Sequence, residues 1–195
     1  MWHWGSIWRL VAVFAMLGQP LALAQTTDVK RSPSEALQYE IEVRQHERLI
    51  RVRTAKGAEL APFVSDGCSG GLSSGWSFFS TMFPALAEKH GTHPPWESCC
   101  LAHDRLYHAG GAADASAAQS YNARLVADNE LRLCVIEIGR VRKADLMAEY
   151  GLGGQQVGRL YNAVAEVMYR AVRFGGAPCS GLPWRWGFGW PACDQ

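Results

Sequence analysis

The sequence predicts a mainly α-helical domain pinned by disulfides, on three observations. Its six cysteines, Cys68, Cys99, Cys100, Cys134, Cys179 and Cys193, are even in number and follow an N-terminus that reads as a secretory signal. Two long stretches, ending in "CCLAHDRLYH" and "NELRLCVIEIG", run without proline and almost without glycine. A third, residues 155–174, places Val157, Leu160, Tyr161, Val164, Val167, Met168 and Ala171 at helical spacing, a stripe that predicts core.

Residues 1–24 carry one charged side chain, Arg9, ahead of the apolar run Leu10–Leu17, and end in "ALA". This is the pattern of a signal peptide cleaved after Ala24, and the run is too short to anchor stably in a bilayer. The expectation is an exported protein. Losing Arg9 leaves 18 basic residues against 18 acidic ones, which argues against a nucleic-acid binder. The remainder is long enough for one domain with a core.

Residues 25–62 form an N-terminal extension. "RSPSE" reads as a flexible lead-in, and the alternation of Tyr39, Ile41 and Val43, followed by Ile50 and Val52, predicts a small β-hairpin, with a short helix as the alternative. The domain proper, residues 63–195, opens with the glycine-rich "SDGCSGGLSSG" and an apolar stretch, "WSFFSTMFPALAEKHG", that could hold a short helix. Pro94 and Pro95 precede the helix bearing the adjacent cysteines, and Gly110–Gly111 ends it. A second long helix spans about residues 113–139, with Leu125, Leu131 and Val135 among its apolar positions, and the third covers 155–174. The tail from Ala177 is too rich in proline and glycine for a helix and holds Trp184, Trp186, Phe188 and Trp190 between two cysteines. Those aromatics suit either a membrane interface or packing over the domain.

The stretch "ESCCLAHDRLYHAG" decides the functional reading. On a helix, Cys99, Cys100, His103 and Tyr107 share a face, with Asp104 one step to the side. A transition-metal site is disfavoured, because adjacent side chains diverge by about 100° on a helix and the usual zinc spacings are absent. A vicinal redox disulfide is rarer still. Two cysteines that each bond a different neighbour fit better, and Cys68 and Cys134 are candidates.

At this point the chain strongly resembles secreted phospholipase A2, whose catalytic helix carries Cys-Cys-x-x-His-Asp-x-x-Tyr. Cys99 to Tyr107 match every fixed position. In that family an aspartate six residues before a cysteine pairs with the catalytic histidine, and Asp128 stands six before Cys134. The resemblance implies disulfides Cys99–Cys134 and Cys68–Cys100, with Cys179–Cys193 closing the tail. If the two helices run antiparallel, advances of about 6 and 9 Å from the first bridge bring His103 and Asp128 together. Leu106 and Ala127 stand where many members have a further bridge, so both halves are missing as a pair.

The resemblance extends to a calcium loop, "DGCSGG", closest to the shorter loop of the group XII branch. Calcium takes hard oxygen ligands, and the carry-over assigns Asp104 as carboxylate ligand with carbonyls of Gly67, Ser69 and Gly71. The implied activity is calcium-dependent hydrolysis of the sn-2 ester of glycerophospholipids at a membrane surface or micelle. His103 would be the general base, Asp128 its partner, and Tyr107 a hydrogen-bond donor to that carboxylate. The alternatives are a catalytically silent lipid-binding or toxin-like module on the same scaffold and, less favoured, a small metal-binding structural protein with free thiols. The resemblance covers about residues 63–139. The 72–95 stretch is longer than the family usually has, and the extension, third helix and aromatic tail lie beyond it.

Overall fold

A computed structural model of the 195-residue chain describes residues 32–65, 67–68, 88 and 94–193, which belong to one unit beginning at Ser32. The expected signal segment, Ser69, Gly71 and most of the 72–95 stretch lie outside the described residues.

Five helices are present among the described residues: α1 (Pro33–Thr54), α2 (Glu97–Ala109), α3 (Ala117–Val141), α4 (Lys143–Tyr150) and α5 (Gly154–Gly175). The expected hairpin is replaced by α1. Its start is a capping box: the Ser32 hydroxyl accepts from the Glu35 N–H, the Glu35 carboxylate accepts from the Ser32 N–H, and Pro33 opens the first turn. The "SPSE" segment is therefore a helix start and not a flexible lead-in. Burial decides the rest. Glu42, His46 and Leu49, at helical spacing, face inward, whereas Ile41, on the alternating strand pattern, is exposed. Tertiary partners for the polar pair Glu42 and His46 outweigh the local alternation.

The remaining helices follow the apolar spacing, with one addition. Ser116 and Gln119 form a second capping box at the start of α3. The inner face of α3 carries Ser120, Arg124, Ala127, Asp128, Leu131, Val135 and Gly139, a stripe that is polar at its first end and apolar at the other. Its apolar half packs on α5, whose buried residues are Val157, Tyr161, Val164, Ala165, Met168, Val172 and Gly175. Val167, expected in that stripe, is exposed. The short helix α4, which closes on Gly151, was not anticipated; it buries Leu146 in the same core.

The three disulfides are Cys68–Cys100, Cys99–Cys134 and Cys179–Cys193. The first two fasten α2 on both sides, to the glycine-rich segment and to α3. Because Cys99 pairs with Cys134 while His103 meets Asp128, α2 and α3 run antiparallel.

No helix or strand forms among the described residues of the tail, and the tail completes the far end of α2. The last carbonyls of a helix lack intrahelical partners. Here the Gly187 N–H donates to the Tyr107 carbonyl at 2.7 Å, the Gly189 N–H to that of His108 at 3.1 Å, and the Trp190 indole N–H to that of Ala109 at 2.9 Å. Arg53 of α1 donates to the Gly110 carbonyl at 2.9 Å. Trp186 is buried with Leu49, Tyr107 and Ala127 in a second small core. The tail's aromatic residues thus pack over the domain: Trp184, Phe188 and Trp190 are half-buried.

Gly110 and Gly187 make this closure sterically feasible. Both have positive φ, +69° and +75°, and a Cβ on Gly187 would sit 2.7 Å from the Leu49 side chain. Gly187→Ala is expected to lower the free energy of unfolding by about 1–3 kcal/mol through overpacking and backbone strain, measured by urea denaturation.

Candidate functional site

The site forms where the polar half of α3 faces α2. Asp128 is fully buried, and each of its oxygens is occupied. Oδ1 lies 3.0 Å from His103 Nε2 and accepts the Tyr107 hydroxyl at 2.5 Å. Oδ2 accepts from Arg173 Nη1 at 2.9 Å. Burial pushes the Asp128 carboxyl up, but the His103 hydrogen bond, the Arg124 charge and the Tyr107 hydroxyl outweigh it and hold the group below its ordinary range. Against an ionised carboxylate, the Nε2 atom carries the ring proton, which leaves the Nδ1 lone pair to act as base. The Tyr107 hydroxyl is driven well above its ordinary value, chiefly by burial, so it stays a neutral donor.

The structure brings together the three residues expected to act in catalysis, His103, Asp128 and Tyr107. It also surrounds them with five that sequence reasoning missed: Arg124, Arg173, Glu42, His46 and Ser120. Arg124 of α3 is fully buried. Its Nε donates to the Tyr107 oxygen at 3.0 Å, Nη1 to Glu42 Oε1, and Nη2 to the carbonyls of Val172 and Arg173 at 2.6 and 2.9 Å. Arg173 donates its second nitrogen to Glu42 Oε2 at 2.7 Å. His46 Nδ1 meets the Ser120 hydroxyl at 2.8 Å, and its Nε2 lies 3.6 Å from Glu42. The two guanidinium groups balance the two carboxylates, as burial of charge requires. The sequence held one signal for this cluster: Ser120, Arg124 and Asp128 recur every four residues, a polar line on a helix face that is apolar further on.

Asp104 stands one helical step from His103 and is half-buried. Its Oδ2 accepts the Ser65 hydroxyl at 2.6 Å, and the Ser65 oxygen accepts the Gly67 N–H at 3.0 Å. Gly67 has φ of +69° and precedes Cys68, whose bridge to Cys100 fastens this segment to α2. Of the expected loop donors, Gly67 is therefore close to Asp104 along the chain's fold, while Ser69 and Gly71 lie outside the described residues. Among the described residues, no group of three or more His, Cys, Asp or Glu side chains could hold a metal ion. The donors present at Asp104 are oxygens, and both neighbouring cysteine sulfurs are spent in disulfides. That set suits a hard cation completed by main-chain carbonyls and does not suit a thiolate-bound transition metal.

Beside Asp104 lies an open cleft of about 270 Å³. Its walls are largely apolar: Pro62 and Val64 from the strap before the glycine-rich segment, and Trp184 and Phe188 from the tail. Asp104 and His108, one turn apart on α2, contribute its polar edge.

Set against protein-family models, curated proteins and solved structures, the chain matches none of them.

Arg124→Leu would leave Glu42 Oε1, the Tyr107 oxygen and the Arg173 carbonyl without the donor that Arg124 supplies. A loss of about 3–5 kcal/mol in unfolding free energy is expected, read from denaturant melts. A second expectation concerns acid. Asp128 and Glu42 both have carboxyls held below their ordinary values. The stability they contribute is full above the unfolded carboxylate range, about pH 4, and is lost as pH falls through the lower folded values. The melting temperature should therefore drop steeply below about pH 4, and less steeply in Glu42→Gln.

Proposed function

We propose that the chain is an exported, calcium-dependent hydrolase of the phospholipase A2 type, cleaving the sn-2 acyl ester of glycerophospholipids at a membrane surface or micelle. The observation that carries this reading is the His103–Asp128–Tyr107 constellation. A buried carboxylate orients the imidazole through Nε2 and accepts the tyrosine hydroxyl, on two antiparallel helices joined by Cys99–Cys134. Its residues are those of the motif that the sequence shares with the family. Three disulfides favour an oxidising compartment, and no helix among the described residues is long and apolar enough to cross a membrane.

The chemistry follows from the chain's own groups. His103 Nδ1 takes a proton from water as its oxygen attacks the ester carbonyl, and Asp128 stabilises the imidazolium that forms. The same proton passes to the departing glycerol oxygen when the tetrahedral intermediate collapses to acid and lysophospholipid. Asp104 with the carbonyls of Gly67, Ser69 and Gly71 would hold calcium, which when bound supplies phosphate binding and polarisation of the carbonyl. The apolar cleft beside Asp104 has the character needed for an acyl chain.

One feature favours a second reading. Gly67 to Gly71, "GCSGG", also spells the G-x-S-x-G pattern of serine hydrolases. That nucleophile elbow needs a strand before it, and residues 57–65 form neither strand nor helix. The serine reading makes Ser69 the nucleophile, whereas the phospholipase reading uses only its main chain.

The deciding experiment follows release of a labelled sn-2 acid from mixed neutral, zwitterionic and anionic vesicles. The expected result is calcium-dependent release, abolished by excess chelator, lowered at least about 100-fold in His103→Gln, and retained in Ser69→Ala. Loss in Ser69→Ala with calcium independence would transfer the chemistry to the serine. Absence of release from the folded, oxidised chain would leave a silent lipid-binding module.

A further inference from the structure

The Asp128 carboxylate has more partners than a His–Asp pair needs. One oxygen serves His103 and Tyr107; the other is held from α5, at 2.9 Å, by Arg173. Arg173 is in turn held by Glu42 of α1, at 2.7 Å, so one planar guanidinium bridges two carboxylates. Neither helix belongs to the stretch that carries the phospholipase resemblance.

We infer that Arg173 is a positioning residue for the hydrolytic reaction: it locks the plane of the Asp128 carboxylate so that Oδ1 holds His103 in the Nε2–H tautomer, and Glu42 keeps Arg173 in place. The inference rests on the reading of His103 and Asp128 as the catalytic pair.

Three arguments support it. The terminal torsion of an aspartate is broad, so hydrogen bonds at one oxygen leave the carboxylate free to swing; a directional bond at the other oxygen removes that freedom. Arg124 does not supply this bond. Its Nε lies 3.9 Å from Asp128 Oδ2, and its donors are committed to Tyr107, Glu42 and the end of α5. Arg173 also sits at the edge of the cluster, 13% exposed in its side chain, with its guanidinium 5.5 Å from the Tyr121 ring centroid. It borders the core without filling it, so its removal separates orientation from folding more cleanly than removal of Arg124.

The test compares the full oxidised chain with Arg173→Met and Arg173→Lys, on a monomeric short-chain sn-2 substrate and by NMR of histidine labelled with nitrogen-15. Arg173→Met is expected to lower kcat about 10–100-fold, the usual effect of removing a partner that orients an active group, while KM stays within about twofold. Arg173→Lys, which keeps the charge and one donor but not the fork, recovers part of the loss. The exchange-protected Nε2 proton of His103, present in the parent, disappears in Arg173→Met. A folded Arg173→Met with unchanged kcat and a retained Nε2 proton overturns the inference. If the parent turns over no substrate, the phospholipase reading fails, and the Nε2 proton alone decides: its loss in Arg173→Met supports the positioning role and its retention overturns it. If Arg173→Met does not fold, Arg173→Lys decides, since parent-like kcat and Nε2 signal there overturn a role for the fork.

Discussion

The Arg124 guanidinium is the constraint on which the structure depends. It is fully buried on α3, and it reaches the tyrosine of α2, the glutamate of α1 and the final carbonyls of α5. Four helices are referenced to one planar cation. A cation so deep is tolerable only when its donors are used and its charge is matched. Glu42 and Asp128 provide the matching charge, and these two carboxylates in turn hold Arg173. The polar cluster thus specifies how α1 and α5 meet the α2–α3 pair, while the apolar stripe of α3 and α5 supplies the hydrophobic burial.

The apolar core and the polar cluster sit at opposite ends of one helix. Toward its C-terminal end, α3 presents Leu131, Val135 and Gly139 to α5, and the Gly139 position is closely covered by the Tyr161 ring. Toward its N-terminal end it presents Ser120, Arg124 and Asp128. The Cys99–Cys134 bridge lies at the apolar end of the α2–α3 contact and the His103–Asp128 pair nearer the polar end. The hydrophobic half therefore adjoins a half that carries the charged and titratable groups. The tail contributes from the other side, because its N–H groups complete the end of α2 just beyond His103.

Much of this was legible in the sequence, for identifiable reasons. Helices α2, α3 and α5 declared themselves through apolar spacing and the lack of internal breakers, whereas the short α4 did not, and the pairing of His103 with Asp128 showed through a motif whose offsets match helix geometry. The first helix was misread, although "SPSE" is a capping box in plain letters, because a short run of alternating Tyr39, Ile41 and Val43 mimics a strand. Two of its three inward residues, Glu42 and His46, count as polar in any pattern search and face the core only because polar groups from α3 and α5 meet them there. Arg173 was illegible for the same reason: its partners lie 45 and 131 residues away in sequence, beyond the reach of any local pattern.

That last separation bears on how the chain comes to life. The groups around Asp128 are gathered from residue 42 to residue 173, and the cap on α2 comes from residues 187–190. Contacts between such distant segments must repay the entropy of closing long loops, so they form late in folding. A nascent chain that has not yet reached Arg173 has the motif of α2 and α3 but neither the arginine that binds its aspartate nor the cap on α2. The arrangement makes the cluster around Asp128 a product of the whole stretch from residue 42 to residue 173, and not of the motif alone.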